Sequence, residues 1–247
     1  MESLIAWATA PPELRLQENE IHLWRASLDC EAAVLRGLEA ILAPEEKSRA
    51  AKFVFARDRD HFITARGILR ELFGEYLHHA PATVEFGYGA QGKPTLGGSV
   101  SHSSLRFNLS HSHGLAVYAF SMGREVGVDL EPIRPDFATQ DIAKRFFAPA
   151  EVEELQSLPP ELRAEGFFLC WTRKEAYIKA RGEGLQIPLD SFRVSLTPGE
   201  PESLKSHDSS RWSLRAFQPA EGFAGAVVGE GQDWKLRYWD WKLEAGG

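Results

Sequence analysis

Hydrophobic positions along this chain follow two periods, and the changes between them lay out its elements. Alternation, the period of a half-buried strand, is clearest in VGVDLEP, where Val126, Val128 and Leu130 point one way and Asp129 and Glu131 the other. Strand-like segments also occur at IHLWRAS (21–27), LRFNLSHSHG (105–114), LAVYAFS (115–121), SFRVSL (191–196), RWSLRAF (211–217), FAGAVVG (223–229) and KLRYWDW (235–241). TVEFGYGAQGKPTL (83–96) reads as a strand running into a Gly/Pro-rich loop, and TPGEPESLKSHDSS (197–210) as a polar, mobile loop.

Helical spacing governs the rest. Val34, Leu35, Leu38, Ile41 and Leu42 share a face, with Asp29 expected to cap that helix. Pro44 suits the first turn of a second helix, which the pattern continues through residues 44–79. Further helices are expected around TQDIAKRFF (139–147) and APAEVEELQSL (148–158), and a longer one through 160–184, where Gly182 and Gly184 supply the stop. Strands and helices thus recur in both halves without the regular alternation of a parallel βαβ array. That predicts an α+β protein with two similar lobes and a cleft between them, although no sequence repeat is evident.

Composition narrows the class. The chain has 247 residues, 43% hydrophobic and 26% charged, as in a soluble globular protein with a sizeable core, and suits one larger domain or two of roughly 120 residues. Its net charge of −7 argues against broad nucleic-acid binding, yet leaves room for a local basic pocket that takes a small anion. Cys30 and Cys170 are the only cysteines and stand in separate contexts, so neither a disulfide nor a Cys-based zinc site is expected. The opening MESLIAWATAPPELR lacks a basic lead-in, and no segment approaches the ~20 apolar residues of a membrane span. A cytoplasmic protein without a membrane partner is the expectation.

Asp129 and Glu131 pose the first chemical question, because two carboxylates on one strand face repel, and each resists leaving water without a partner. On the helix of 160–184, the period of about 3.6 residues puts Phe167, Cys170, Trp171, Lys174 and Ile178 on one broad face. Glu175 and Lys179 lie on an adjoining face. By themselves they make an ordinary surface pair worth roughly 0.2–0.5 kcal/mol, and Asp129 and Glu131 alone fit a solvated strand end. Three carboxylates converging from strand and helix would instead suit a hard divalent cation such as magnesium, which takes oxygen donors and shares its shell with phosphate. Lys93, between Gly92 and Pro94, sits where an ammonium can meet a phosphate. Ser110 and His111 add short polar groups at a strand end. Arg49, Lys52, Arg57, Arg59, Arg66 and Arg70 crowd the first long helical stretch, where a charged face is usually just solvated. No spaced Cys/His set, G-x-S-x-G elbow or Walker loop is present.

The order GKP, FNLSHS, GVDLEP, FFAPAEVEEL, WTRKEAYIKARGEGL resembles the 4′-phosphopantetheinyl transferases, specifically the larger surfactin-synthetase-activating type, over roughly Pro44 to Phe192. That resemblance implies a pseudo-two-fold pair of lobes in a single chain, residues 1–122 contributing coenzyme A phosphate contacts and 123–247 the metal site and catalytic helix. It implies transfer of the phosphopantetheine arm of coenzyme A to a serine of an apo acyl or peptidyl carrier protein, with release of 3′,5′-ADP. Magnesium, or manganese in its place, would be held by Asp129, Glu131 and Glu175; Glu175 would be the base and Lys179 would stabilise the phosphate or leaving group. Lys93, Ser110, His111, Arg49 and, more weakly, Arg66 would contact the coenzyme. Glu46 stands where this type often has a further basic residue. A monomer is expected, since the shorter type alone builds its sites between subunits. The competing readings are a nucleotide-pyrophosphate hydrolase and a non-catalytic coenzyme A or carrier-protein binder.

Overall fold

The computed structural model describes residues 6–89 and 93–242; Gly92 lies outside them. The first half runs β1 (Glu20–Ser27), α1 (Ala32–Ala40), α2 (Pro44–Ala50), α3 (Ala56–Leu77), β2 (Phe86–Tyr88), β3 (Pro94–Leu96), β4 (Leu105–Ser112) and β5 (Leu115–Met122). The second half runs in the same order: β6 (Val126–Pro132), α4 (Gln140–Phe146), α5 (Pro149–Ser157), α6 (Arg163–Arg181), β7 (Arg193–Val194), β8 (Leu204–Lys205), β9 (Trp212–Phe217) and β10 (Phe223–Glu230). Pairing recurs too. One sheet has the order β1-β5-β4 and the other β6-β10-β9, each antiparallel, with the short hairpins β2–β3 and β7–β8 beside them. A last strand, β11 (Lys235–Asp240), returns to the first sheet and pairs parallel to β1. The architecture is α+β.

Strand alternation sets the layers. Ile21, Leu23, Val117 and Ala119 of the first sheet meet Val126, Val128, Leu130 and Val227 of the second in one buried cluster. The opposite face of the first sheet, with Trp24, Tyr118 and Phe120, packs on Ile68, Leu69, Leu72 and Phe73 of α3. The opposite face of the second, with Ala224, Ala226 and Val228, packs on Phe167, Tyr177 and Ile178 of α6. The order is therefore helix, sheet, sheet, helix.

Both halves use the same buried fastening. Glu46, in the first turn of α2, accepts from the Ala43 amide (2.9 Å) and from Arg70 of α3 (2.6 Å), while Arg70 also donates to the carbonyls of Pro81 and Val84. Glu151, in the first turn of α5, accepts from the Ala148 amide (2.8 Å) and pairs with Lys174 of α6 (2.8 Å), while Lys174 also donates to the carbonyls of Leu189 and Phe192. In sequence this kinship shows only as Ala-Pro-x-Glu at 43–46 and 148–151, too little to register as a repeat.

Three local expectations are corrected. The helix expected through 44–79 breaks between α2 and α3, where Phe53, Val54 and Phe55 are exposed and Phe55 is extended; β-branched and aromatic residues in a row are weak helix formers. Asp29 does not cap α1, whose N-cap is Glu31; its carboxylate instead meets His61 of α3 at 2.8 Å. The 197–210 segment, expected to be loop throughout, contains β8, and Asp208 accepts from Tyr177, Ser206 (2.8 Å) and Trp212 (3.0 Å). Cys30 and Cys170 are both free thiols. No helix of the described residues is long and apolar enough to cross a membrane.

Candidate active site

Gly127 governs how the site is assembled. A Cβ there would lie 2.2 Å from the Ala176 carbonyl oxygen and the Ala180 amide nitrogen, so only glycine lets α6 run this close to β6. Asp129 is on the same strand face as Gly127, and Lys179 is therefore brought to it: Nζ lies 2.7 Å from Asp129 Oδ1. Along the other edge of β6 runs β4, fastened by side chains. Asn108 Oδ1 accepts from the Val128 amide (3.0 Å), Ser110 Oγ donates to Asp129 Oδ1 (2.8 Å), and Ser112 Oγ donates to Glu131 Oε2 (2.6 Å). His113 Nδ1 lies 3.0 Å from the same Ser112 hydroxyl.

Asp129 is 4% exposed. Its Oδ1 has two donors, whereas its Oδ2 is buried with no hydrogen-bond partner. Burial, then the Asp129 charge, then Glu131 push the Glu175 carboxyl above its ordinary range, with Lys179 opposing. Glu131 is raised mainly by burial, with Asp129 adding and the Ser112 hydrogen bond opposing. The three carboxylates thus lie within electrostatic reach of one another. Among the described residues, however, no three His, Cys, Asp or Glu side chains are already gathered as a donor set for an ion; the ammonium of Lys179 is the cation at Asp129. The chemistry still fits a hard divalent ion: oxygen donors on two rigid elements, one of them a buried oxygen without a partner.

A groove extends from this cluster. Lys93, Asn108, Leu109, Ile178 and Lys179 line its near part, and Arg49, Phe62, Arg66 and His111 its far part, with Pro94 and Leu109 common to both. Lys93 bridges to the second half, its Nζ 3.1 Å from Glu125 and 3.4 Å from the Val126 carbonyl. Arg49 is exposed, with its guanidinium 5.2 Å from the Phe62 ring centroid. His111 is lowered from the usual histidine range by desolvation first, then by Lys179 and His61.

Arg66 is in a different state from Arg49. It is 9% exposed, ion-paired with Glu46 and stacked over Phe86 at 3.8 Å. Glu46 thus has a structural task, holding Arg66 and Arg70 together, which accounts for an acid at this position. Lys174, which helical phase placed on a face with Phe167, Cys170, Trp171 and Ile178, is fully buried in its pair with Glu151. Sequence reasoning did not single out Asn108, Ser112 or Gly127. The first two sit in phase with Ser110 on a strand already suspected, which was the available signal; Gly127 needs the helix position to be known.

Residues 125–228 match the family model described as the 4′-phosphopantetheinyl transferase superfamily, and residues 24–122 match that described as 4′-phosphopantetheinyl transferase, N-terminal. The chain is 42% identical to 4′-phosphopantetheinyl transferase HetI of Nostoc sp. (strain PCC 7120), over 94% of this chain and 97% of that protein. It is 31% identical to a 4′-phosphopantetheinyl transferase of Bacillus subtilis, over 76% of this chain and 82% of that protein. Among solved structures, a holo-(acyl-carrier-protein) synthase from Bacillus anthracis in complex with CoA (3′,5′-ADP) aligns with 44% of this chain and 96% of that one, at 20% identity and a TM-score of 0.38.

Proposed function

The chain belongs to the 4′-phosphopantetheinyl transferase superfamily and is an enzyme of that class, and we propose that it acts in the groove running from Arg49 to Lys179, with Glu175 one turn before Lys179 on α6. The reaction is transfer of the phosphopantetheine arm of coenzyme A to a serine hydroxyl of an apo carrier protein. Curated relatives named as transferases favour this over the hydrolase and the non-catalytic binder. The observation that carries the site assignment is the meeting of Asp129, Lys179 and Ser110, from β6, α6 and β4, at one end of a basic groove.

In this reading the serine oxygen bonds to the phosphorus that bears the pantetheine arm, and the bond from that phosphorus to 3′,5′-ADP breaks. Glu175 accepts the serine proton; its raised pKa makes it a stronger base than a surface carboxylate. Lys179 and Lys93 bind the diphosphate, and Lys179 meets the charge that develops on the leaving oxygen. His111 and Ser110 orient the coenzyme, and Arg49 grips the 3′-phosphate from its exposed position. Arg66, already paired with Glu46, supports the pocket floor more than it grips phosphate. Asp129, Glu131 and Glu175 would hold magnesium or manganese, which when bound supplies charge neutralisation for the diphosphate.

The repeated element order supports two similar lobes divided near residue 122, with β11 strapping the second back to the first. Both contribute to the groove, so a monomer suffices, in the cytoplasm and without membrane or nucleic acid. The carrier, acyl or peptidyl, docks at the groove mouth. Incubation with coenzyme A, a magnesium salt and a panel of apo carrier proteins should add the arm's mass to at least one carrier. Failure on every carrier, or coenzyme A breakdown without an acceptor, would overturn the reading.

A further inference from the structure

We propose that Lys179 is the resident cation of its own metal site: its ammonium neutralises Asp129 until the diphosphate of coenzyme A draws it away, so that coenzyme and divalent ion bind interdependently. The inference rests on the transferase reading above.

Three acceptors lie within reach of the Lys179 ammonium: Asp129 Oδ1 (2.7 Å), Ser110 Oγ (3.1 Å) and the Val128 carbonyl (3.3 Å). A phosphate drawing on this ammonium competes with all three for its protons. The two partners differ in freedom. Asp129 is fixed on strand β6 and almost wholly buried, whereas Lys179 is 29% exposed on a flexible stem and lines the groove. Lys179 is therefore the member that moves.

Its departure would leave Asp129 as a buried carboxylate whose Oδ1 keeps only the Ser110 hydroxyl and whose Oδ2 has no partner at all. A charge in that state is costly unless another cation replaces the first. Conversely, a divalent ion approaching while Lys179 is in place meets a positive charge already bound to the carboxylate it needs. Each event is opposed alone and favoured once the other has happened. By linkage, the factor by which coenzyme A tightens the ion equals that by which the ion tightens coenzyme A. The arrangement also explains why these carboxylates are not preassembled as a donor set.

The test measures ion binding directly. The full chain is titrated with Mn²⁺, following the free aqua ion by electron paramagnetic resonance, with and without coenzyme A. Lys179→Gln should bind Mn²⁺ at least tenfold more tightly than wild type in the absence of coenzyme A, and coenzyme A should tighten it less than it tightens wild type. Lys93→Gln removes the same charge from the same groove without touching Asp129, and should leave coenzyme-free Mn²⁺ binding within about threefold of wild type. Equal affinities for wild type and Lys179→Gln, or an equal gain in Lys93→Gln, would overturn the inference while leaving arm transfer by the wild type intact. If Lys179→Gln does not fold, nuclear magnetic resonance of the Lys179 ammonium in wild type decides: it should shift on adding coenzyme A in chelator, and no shift would refute the exchange. Absence of Mn²⁺ binding in all proteins, even with coenzyme A, together with no arm transfer, would instead remove the transferase reading beneath it.

Discussion

On α3, the residue after the buried Arg70 is Glu71, and one turn later comes Glu75; on α6, the residue after the buried Lys174 is Glu175, and one turn later comes Lys179. The strand faces opposite these helices differ as well. β1 presents His22 and Trp24 towards α3, where Tyr76 takes a hydrogen bond from Trp24 Nε1 (2.8 Å) and lies 2.7 Å from His22 Nδ1. β6 presents Gly127 and Asp129 towards α6. The edge of β1 is covered by a paired strand, β11, whereas the matching edge of β6 faces the serines of β4. Two halves with one order of elements and one buried fastening have therefore diverged at a handful of positions. In the first, aromatic and histidine side chains fill the strand positions and the helix keeps two carboxylates, Glu71 and Glu75, at an opening; in the second, an acid on the strand faces an acid and a lysine on the helix. The scaffold is indifferent to the chemistry, which resides in what replaces Trp24 and Glu75.

The sharpest break of this contrast is Glu175→Gln. It should lower the rate of arm transfer, read by intact mass of the carrier, by about 10²–10⁴-fold, while Glu71→Gln on the equivalent turn changes it less than about twofold. Lys174→Met should follow in size. It leaves Glu151 buried without its cation, a loss of about 3–5 kcal/mol measurable by urea unfolding, and Arg70→Met should cost less because Glu46 keeps its ion pair with Arg66. Gly127→Ala comes next, at about 1–3 kcal/mol of overpacking, since the atoms in the way are backbone. Gly67→Ala, whose nearest obstacle is the Leu38 side chain, should cost less. Arg49→Gln should raise the KM for coenzyme A about tenfold, the scale of one charge-assisted contact, without moving the Tm.

The smallest effect concerns pH. Glu71 and Glu175 are both raised, each chiefly by burial and then by a neighbouring carboxylate, Glu75 or Asp129. A carboxyl whose pKa is higher folded than unfolded holds more protons in the folded state, so it weakens stability as pH rises from the ordinary carboxylate value upward. In chelator, Glu71→Gln and Glu175→Gln should each raise the Tm at pH 7, and the gain should fade as pH falls towards 4.5. A Tm that drops at pH 7 in both would show that these carboxylates are stabilised instead.

Sequence carried much of this. Alternation in 126–132 placed Asp129 and Glu131 on one face, and helical phase placed Glu175 beside Lys179, because both are local consequences of backbone geometry. The motifs that pointed to Lys93 and His111 fall on the groove, and Ser110 reaches its end at Asp129 and Lys179. What stayed hidden depends on contacts between distant segments. Arg49 and Arg66 look alike in sequence, and only Glu46 folding back onto Arg66 separates an exposed guanidinium from a buried one. The repeat was hidden for a related reason: core positions conserve polarity and size rather than identity, so Glu46–Arg70 and Glu151–Lys174 match as pairs but not as letters.

Asn108 lends one side-chain oxygen to Val128 where a neighbouring strand would have lent its backbone. β4 and β6 are consequently buttoned together rather than zipped, with each fastening a single replaceable residue. A single substitution among them would loosen one tie between the two sheets while both keep their ladders.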